Sequence, residues 1–384
     1  MKILHLMLAC FYIDNYSYQE NYLPKYHKKQ GNDVEIIASL FTFDKNGNGT
    51  YLEKECKYKN EYGIRVTRLN YKKTPFSKRL RHYTGLKEEI ERFTPDCIFC
   101  HGVQFSDIKI VRDYCKKNPK VKLYIDNHSD FSNSATNILS KKIQHEIIWK
   151  HYAQMINPYV NKFYGVLPAR VDFLINEYKL PKNKVELLVM GADDDCIKNA
   201  TSKSKINSLR KKYKIKDDDF LIVTGGKIDK WKTQTLLLMK AVKELNNPHV
   251  KLLIFGSITE DLQSYVYDLV DGIKIQYVGW IPATDSYEYF AASDLVVFPG
   301  RHSVFWEQVV AQGKPMIVKY WDGTTHVDLG GNVKFLYEDS SSEIKKAIEY
   351  TLKSTNYNFM KTIAEKGKLQ FSYSEIAKKS IEEL

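Results

Sequence analysis

FLIVTGGKIDKWKTQTLLLMKAVKEL, residues 220–245, is the stretch whose reading decides the fold. An apolar, β-prone run ends at Gly225 and Gly226. A short polar loop follows, and apolar positions then recur at helical spacing. A strand, a glycine turn and a helix in that order make half of a βαβ unit, the building block of a parallel sheet covered by helices. The same order repeats downstream through "VKLLIFG", "LQSYVYDLV", "IKIQYVG", "ATDSYEYFAAS", "DLVVFPG" and "PMIVKYW". Upstream lies a second series of strands, "KILHLMLA", "DVEIIAS", "GIRVTRLNY", "DCIFCHG", "VKLYIDN", "KFYGVLP" and "VELLVMG". Amphipathic segments separate them, including "NYLPKYHKKQG", "GLKEEIERF", "IKIVRDYCKKN", a long helical stretch at 140–157 and "ARVDFLINEY".

Between the two series, residues 193–219 are polar and charged, and read as a linker with a leading helix. The chain of 384 residues is long enough for two domains of ~150–200 residues. The reading is α/β: two doubly wound parallel-sheet, Rossmann-like domains facing a central cleft, with the boundary placed at 1–196 and 197–359. Ligands of such sheets bind at the carboxyl ends of the strands, where the strand order reverses.

Composition narrows the function classes. Hydrophobic content of 43% with 27% charged residues is that of a globular protein, not a disordered one. No run approaches the ~18 apolar residues that a membrane span needs. "MKILHLMLACF" carries His5 and passes into polar "YIDNYSYQEN", so it reads as a buried first strand and not as a signal peptide. The net charge of +12 favours anionic partners. Basic residues gather in "KKTPFSKRLRHYTGLK" (72–87), either a solvated face or a patch for an anionic membrane surface. No aromatic-basic recognition motif points to nucleic acid. Cys97, Cys100 and His101 spell the C-x-x-C-H pattern of haem attachment. On a strand, residues three apart point to opposite faces, so buried free thiols are expected instead.

Several residues stand where chemistry is expected. Gly225 and Gly226 allow close backbone approach. Lys227 and Lys232 flank a loop that enters a helix, which suits a pyrophosphate, although lysines in a loop are often only solvated. His128 ends a strand among Asp126, Asn127 and Asp130, and can donate to a phosphate or a sugar hydroxyl. His101 reads as a loop histidine bonded to backbone. "GADDDC" puts Asp193 and Asp195 in the D-x-D spacing of a divalent-cation site. In "FPGRHSVFWEQVVAQGKP" (298–315), Ser303 is placed to cap a helix that ends at Gly313. Glu307 in its first turn either complements the helix dipole or accepts hydrogen bonds from a diol such as ribose.

These segments in this order resemble the GT-B glycosyltransferases of family 4. The similarity spans nearly the whole chain through "YLPKYHKKQGNDVEIIAS", "LLVMGADDD", "GGKIDKWKTQTLLLMKA", "LLIFGS", "YVGWIP", "AASDLVVFPG" and "WEQVVAQGKPMIV". The resemblance implies a retaining transferase that uses a nucleotide-diphosphate sugar, with UDP- or GDP-sugar as substrate and no resident cofactor or metal. It assigns the donor diphosphate to Lys227 and Lys232, the nucleotide ribose to Glu307, and the transferred sugar and its phosphate to His128. It also implies that "GADDD" is an inter-domain turn and that a C-terminal helix, about 360–384, packs back on the first domain.

Two departures stand out. Where the family's first glutamate would fall, eight residues before Glu307, stands Pro299, which leaves His302 or Ser303 to meet the sugar. The usual Gly-Gly after strand one is absent. "IDNYSYQEN" replaces it, so Asn15, Tyr18 and Gln19 are the candidates on the acceptor side. "GRHSVFWEQ" followed by "KYWDGTTHVDLGGN" is similar to a subgroup from bacterial surface-polysaccharide loci. The expected partners are thus a nucleotide-sugar donor and a carbohydrate or lipid-linked acceptor. The expected location is cytoplasmic, peripheral on the inner face of the membrane if residues 72–87 bind lipid. Two alternatives stay open on sequence alone: a metal-dependent GT-A-type transferase using Asp193 and Asp195, and a non-catalytic nucleotide- or anion-binding protein.

Overall fold

A computed structural model describes residues 1–44, 48–134 and 140–382. The chain divides into two compact units, one formed by Met1–Met190 with the segment from Tyr373, the other by Gly191–Ser372.

The first unit is built on an eight-stranded sheet. Its strands are β1 (Lys2–Met7), β2 (Asp33–Ser39), β5 (Cys56–Lys59), β6 (Arg65–Leu69), β7 (Cys97–His101), β8 (Lys122–Asn127), β9 (Lys162–Gly165) and β10 (Val185–Leu187). They run in the order β10-β9-β8-β7-β1-β2-β6-β5. All neighbours are parallel except the edge pair β5–β6. A separate antiparallel pair, β3 (Phe41–Phe43) and β4 (Gly49–Tyr51), lies outside this sheet.

Helices cover both faces, so the central strands are apolar on both sides. β7 shows this directly. Cys97 packs with Tyr22, Tyr164 and Tyr373 on one face, and Cys100 with Ile108, Leu123 and Ile125 on the other. The two thiols are free, and burial raises both, Cys97 to about 12. The C-terminal helix Tyr373–Ser380 lies against the helix Gln19–Lys29, with the Tyr22 and Tyr373 rings 4.9 Å apart. Burying Ile376 and Tyr373 there stabilises by roughly 1.5–3 kcal/mol each.

The second unit carries β11 (Phe220–Gly225), β12 (Val250–Phe255), β13 (Ile275–Gly279), β14 (Leu295–Phe298), β15 (Met316–Lys319) and β16 (Val333–Leu336), all parallel, in the order β13-β12-β11-β14-β15-β16. The order reverses beside β11, and in the first unit beside β1. Each sheet therefore has one switch point at its carboxyl edge.

Some elements differ from the sequence reading. The stretch 140–157 is a wide π-helical coil, Ser140–Trp149, followed by the α-helix Lys150–Ile156. The polar segment 193–219 holds two helices, Asp194–Ala200 and Lys203–Lys212. The boundary falls after Met190. Of the segment 360–384, the helix Ser354–Gly367 belongs to the second unit, only the part from Tyr373 joins the first, and residues 383–384 lie outside the described residues.

Gly225 marks a tight contact. A Cβ there would stand 2.1 Å from the Phe255 ring of β12. Gly225→Ala is therefore expected to lower the stability of the second unit by ~1–3 kcal/mol, the usual range for overpacking. Chemical denaturation reads the shift in midpoint, and an unchanged midpoint would show that Phe255 gives way freely.

Candidate active site

Each unit gathers polar side chains at the carboxyl edge of its sheet. In the first unit, β7 ends at His101 and β8 ends in Asp126-Asn127, with His128 just beyond. Parallel pairing sets His101 opposite Asp126. His101 Nδ1 lies 2.9 Å from Asp126 Oδ2, close enough for an ion pair though off the line of a straight hydrogen bond. His128 Nε2 lies 3.4 Å from the same oxygen and 3.9 Å from Glu20 Oε1. Gln19 donates to Asp126 Oδ2 at 3.0 Å.

Asp126 is fully buried, which alone would raise its pKa. The attraction of His101 and then of His128 outweighs burial and holds the carboxyl well below its usual range. Burial likewise lowers His128, but Asp126 and then Glu20 outweigh it, so its pKa lies above the ordinary imidazole value. His101 is thus not a loop histidine bonded to backbone. It is a buried strand residue between His5, 3.0 Å away, and Asp126.

Of the acceptor-side candidates, only Gln19 joins this cluster. Asn15 takes a left-handed φ of 62° and donates its backbone N–H to Glu61. Tyr18 precedes the helix Gln19–Lys29 and packs its ring on Tyr16.

In the second unit, β11 ends at Gly225, and Gly226 follows with φ of 119°. A Cβ on Gly256 would stand 2.0 Å from the Gly226 carbonyl oxygen, so the two turns touch through backbone. The half-buried Lys232 folds over this turn, its Nζ 3.5 Å from where a Gly226 Cβ would sit. Burial lowers the Lys232 pKa, with Asp229 opposing. Lys227 is exposed. Among the described residues, neither ammonium makes a hydrogen bond or ion pair. Arg301, which follows β14, adds a third cation nearby, its guanidinium 4.8 Å from the Trp231 ring centre.

Glu307 lies in the helix Phe305–Ala311 and is fully buried. Its Oε1 accepts from His302 Nε2 and from His326 Nε2, each at 2.8 Å, while Oε2 has no partner among the described residues. Burial alone would raise this carboxyl. The attraction of His302 and the hydrogen bonds from both imidazoles outweigh it and hold the group well below the usual range. His302 is thereby committed to Glu307. Ser303 is not the cap: Val304 occupies that position, and no side-chain hydrogen bond closes the helix end.

The D-x-D pair has another use. Asp193 caps the helix Asp194–Ala200 by accepting from the Asp195 N–H. Among the described residues, three trios bring possible metal ligands within 4.8 Å of one another: Glu20, His101 and His128; His302, Glu307 and His326; Asp218, Asp219 and His249. In the first two, every imidazole already faces a carboxylate at hydrogen-bond or ion-pair distance. In the basic segment 72–87, Arg81 turns inward to the carbonyls of Ala9 and Gln104, and His82 to Asp107. Lys72, Lys73, Phe76, Lys78 and Arg79 remain exposed.

The chain is similar to known proteins over both units. Residues 205–370 match the family model of glycosyl transferases group 1. The match falls within the second unit and spans Lys227, Lys232, His302, Glu307 and His326. An uncharacterized glycosyltransferase of Methanocaldococcus jannaschii is 22% identical over 219 residues, covering 53% of this chain and 54% of its own. The chain thus spans about half the length of that relative. A glycosyltransferase from Rickettsia africae superposes with a TM-score of 0.68 at 16% identity, covering 98% of this chain and 96% of that one. The Anabaena protein HepE in complex with UDP superposes at 0.63 and 18% identity, covering 99% and 98%. The fold is that of the GT-B glycosyltransferases, and residues 205–370 are similar to glycosyl transferases group 1. The GT-A alternative built on Asp193 and Asp195 falls with the fold. No helix among the described residues is long and apolar enough to cross a membrane.

Burial makes the first cluster sensitive to acid. His27 bonds to His5 at 3.0 Å and is lowered by burial to about 4, with the Ala377 hydrogen bond opposing and the His101 charge assisting. An unfolded histidine titrates near ~6.5. A base with a depressed folded pKa contributes stability that is full above the unfolded value and is lost as pH falls toward the folded one. Stability is expected to drop between pH ~6.5 and ~4 by ~1.4 kcal/mol per unit for this group. His27→Gln keeps a donor for the Ala377 carbonyl and should remove that slope. Denaturant titrations across the range check this, and an unaltered slope in the variant would refute it.

Proposed function

We propose that the protein is a retaining glycosyltransferase of family 4 that moves a sugar from a UDP- or GDP-sugar to a carbohydrate or lipid-linked acceptor in bacterial surface-polysaccharide synthesis. The observation that carries this reading is Lys232. Its ammonium is half-buried above the Gly225-Gly226 turn at the switch point of β11 and makes no hydrogen bond or ion pair among the described residues, although the charge of Asp229 favours it. A partly desolvated cation is costly without an anion, and a diphosphate supplies one. The match to glycosyl transferases group 1 over this unit supports the same reading, as does the UDP bound by HepE.

The chemistry follows from where charge develops. As the bond from the sugar anomeric carbon to the diphosphate oxygen breaks, negative charge grows on that phosphate. Lys227 and Lys232 stabilise it more in the transition state than in the ground state. The acceptor hydroxyl attacks from the same face, and the leaving phosphate takes its proton. His128, at the carboxyl edge of the first unit's sheet, is a donor for a sugar hydroxyl or a phosphate. Glu307, with one oxygen fixed by two imidazoles, keeps the other for the ribose diol. Since its carboxylate is sealed from solvent, this contact requires the His302 loop to shift on binding.

Lys232→Ala removes the half-buried cation without touching the core. Turnover, read as nucleoside diphosphate released from a panel of nucleotide sugars, should fall by ~10²-fold or more. The melting temperature should hold. Near wild-type turnover in a folded variant would defeat the assignment.

A further inference from the structure

Behind the His101–Asp126 pair runs a buried line of imidazoles that the proposed chemistry does not use. His27 Nε2 lies 2.9 Å from the Ala377 carbonyl oxygen and 3.0 Å from Ser380 Oγ. His27 Nδ1 lies 3.0 Å from His5 Nε2, and His5 Nδ1 lies 3.0 Å from His101 Nε2. His101 Nδ1 closes the line at 2.9 Å from Asp126 Oδ2. His5, His27, His101 and Asp126 are all buried, at 0 to 1% exposure.

Counting ring protons fixes the charge. At one side the line ends on the Ala377 carbonyl oxygen and on Ser380 Oγ, whose own proton goes to that same carbonyl at 2.8 Å; at the other it ends on a carboxylate, so both ends accept. Each terminal nitrogen must therefore carry a proton. Each of the two nitrogen–nitrogen contacts needs one proton as well, or two lone pairs would face each other. That makes four protons on three rings, where three neutral imidazoles carry three. The line thus holds one positive charge wherever the extra proton sits. A proton placed on Asp126 instead would leave three neutral rings beside a neutral acid, whereas the pull of His101 and His128 holds that carboxyl ionised.

We propose that His27, His5 and His101 form a proton-sharing chain with a single positive charge, which keeps Asp126 ionised beside His128 and so makes His128 a cationic contact for an anion at this edge. Asp126 and His101 are then positioning residues acting through His128. The charge rests on His101, next to the carboxylate. Burial disfavours it on His5 and on His27. His5 and His27 are neutral, each with its proton on Nε2. The groups facing His128 fit the assignment. Asp126 comes from its own strand and Glu20 from the helix Gln19–Lys29, and both favour the imidazolium. Arg170, from the helix Pro168–Asn176, opposes it, but Asp130 at 3.2 Å offsets its charge. Cys10, beside Glu20 and Asp126, is a neutral thiol, raised first by burial and then by those two carboxylates.

The consequence for turnover rests on the donor-binding reading, but the proton count does not. The test is ¹⁵N NMR of the histidine rings in the full chain. At pH 7 the wild type should show His101 protonated on both nitrogens, with His5 and His27 as neutral Nε2–H tautomers. Three neutral rings would overturn the proposal. In Asp126→Asn the carboxylate is gone, so the His101 imidazolium signature should disappear. The His128 titration midpoint should then fall by about one pH unit or more, the usual effect of losing a close opposite charge. An unmoved His128 midpoint in the folded variant would also overturn it. If the variant fails to fold, the wild-type count alone decides. The alkaline limb of kcat/KM should shift with the His128 midpoint. A count that holds while this limb stays fixed would strike the donor-binding reading and not the chain.

Discussion

A buried carboxylate must be paired, and in both units one is paired by histidines at the carboxyl edge of a parallel sheet. Asp126 lies between His101 and His128, and Glu307 between His302 and His326. Removing either imidazole pair would leave an uncompensated charge in the interior, which costs several kcal/mol. The pairing therefore fixes more than charge. It ties the end of β8 to the end of β7 in the first unit. In the second it ties the helix Phe305–Ala311 to the loops after β14 and β15. The polar edge of each sheet is held in one arrangement by the same device.

The second constraint is backbone contact in the Gly225-Gly226 turn. A side chain at Gly225 is excluded by Phe255 and one at Gly256 by the Gly226 backbone, while Gly226 itself takes a φ of 119°. The surface left over this turn is backbone and the Lys232 ammonium. The sheet gives that cation its place: Lys232 follows β11, the strand beside which the order reverses, which is where sheets of this kind bind ligands. The ammonium there makes no hydrogen bond or ion pair among the described residues.

Much of this was legible in the sequence. Apolar strands alternating with amphipathic helices carry both parallel sheets, and the three-residue spacing of Cys97 and Cys100 told that they part to opposite faces. Gly225, Lys232, Glu307 and His128 stood out because strand ends and helix starts are defined by local order. What local order does not contain is long-range pairing. His5 lies 96 residues from His101 and 22 from His27, and no spacing rule brings them together. His326 comes to Glu307 from a loop beyond the next strand. His101 looked like a loop residue because its partners were out of view. The short strands β3, β4 and β5 escaped for another reason: three or four residues at a solvated edge carry too little periodicity to separate them from a loop.

The central claim is that the second unit binds a nucleoside diphosphate through Lys232, and titration calorimetry with UDP and GDP tests it most directly. The account predicts saturable binding of one molecule per chain by at least one of them, weakened about tenfold or more by Lys232→Ala, in line with the ~1.5–3 kcal/mol of a hydrogen bond to a charged group. Absence of binding by either nucleotide, or binding that Lys232→Ala leaves unchanged, would contradict it.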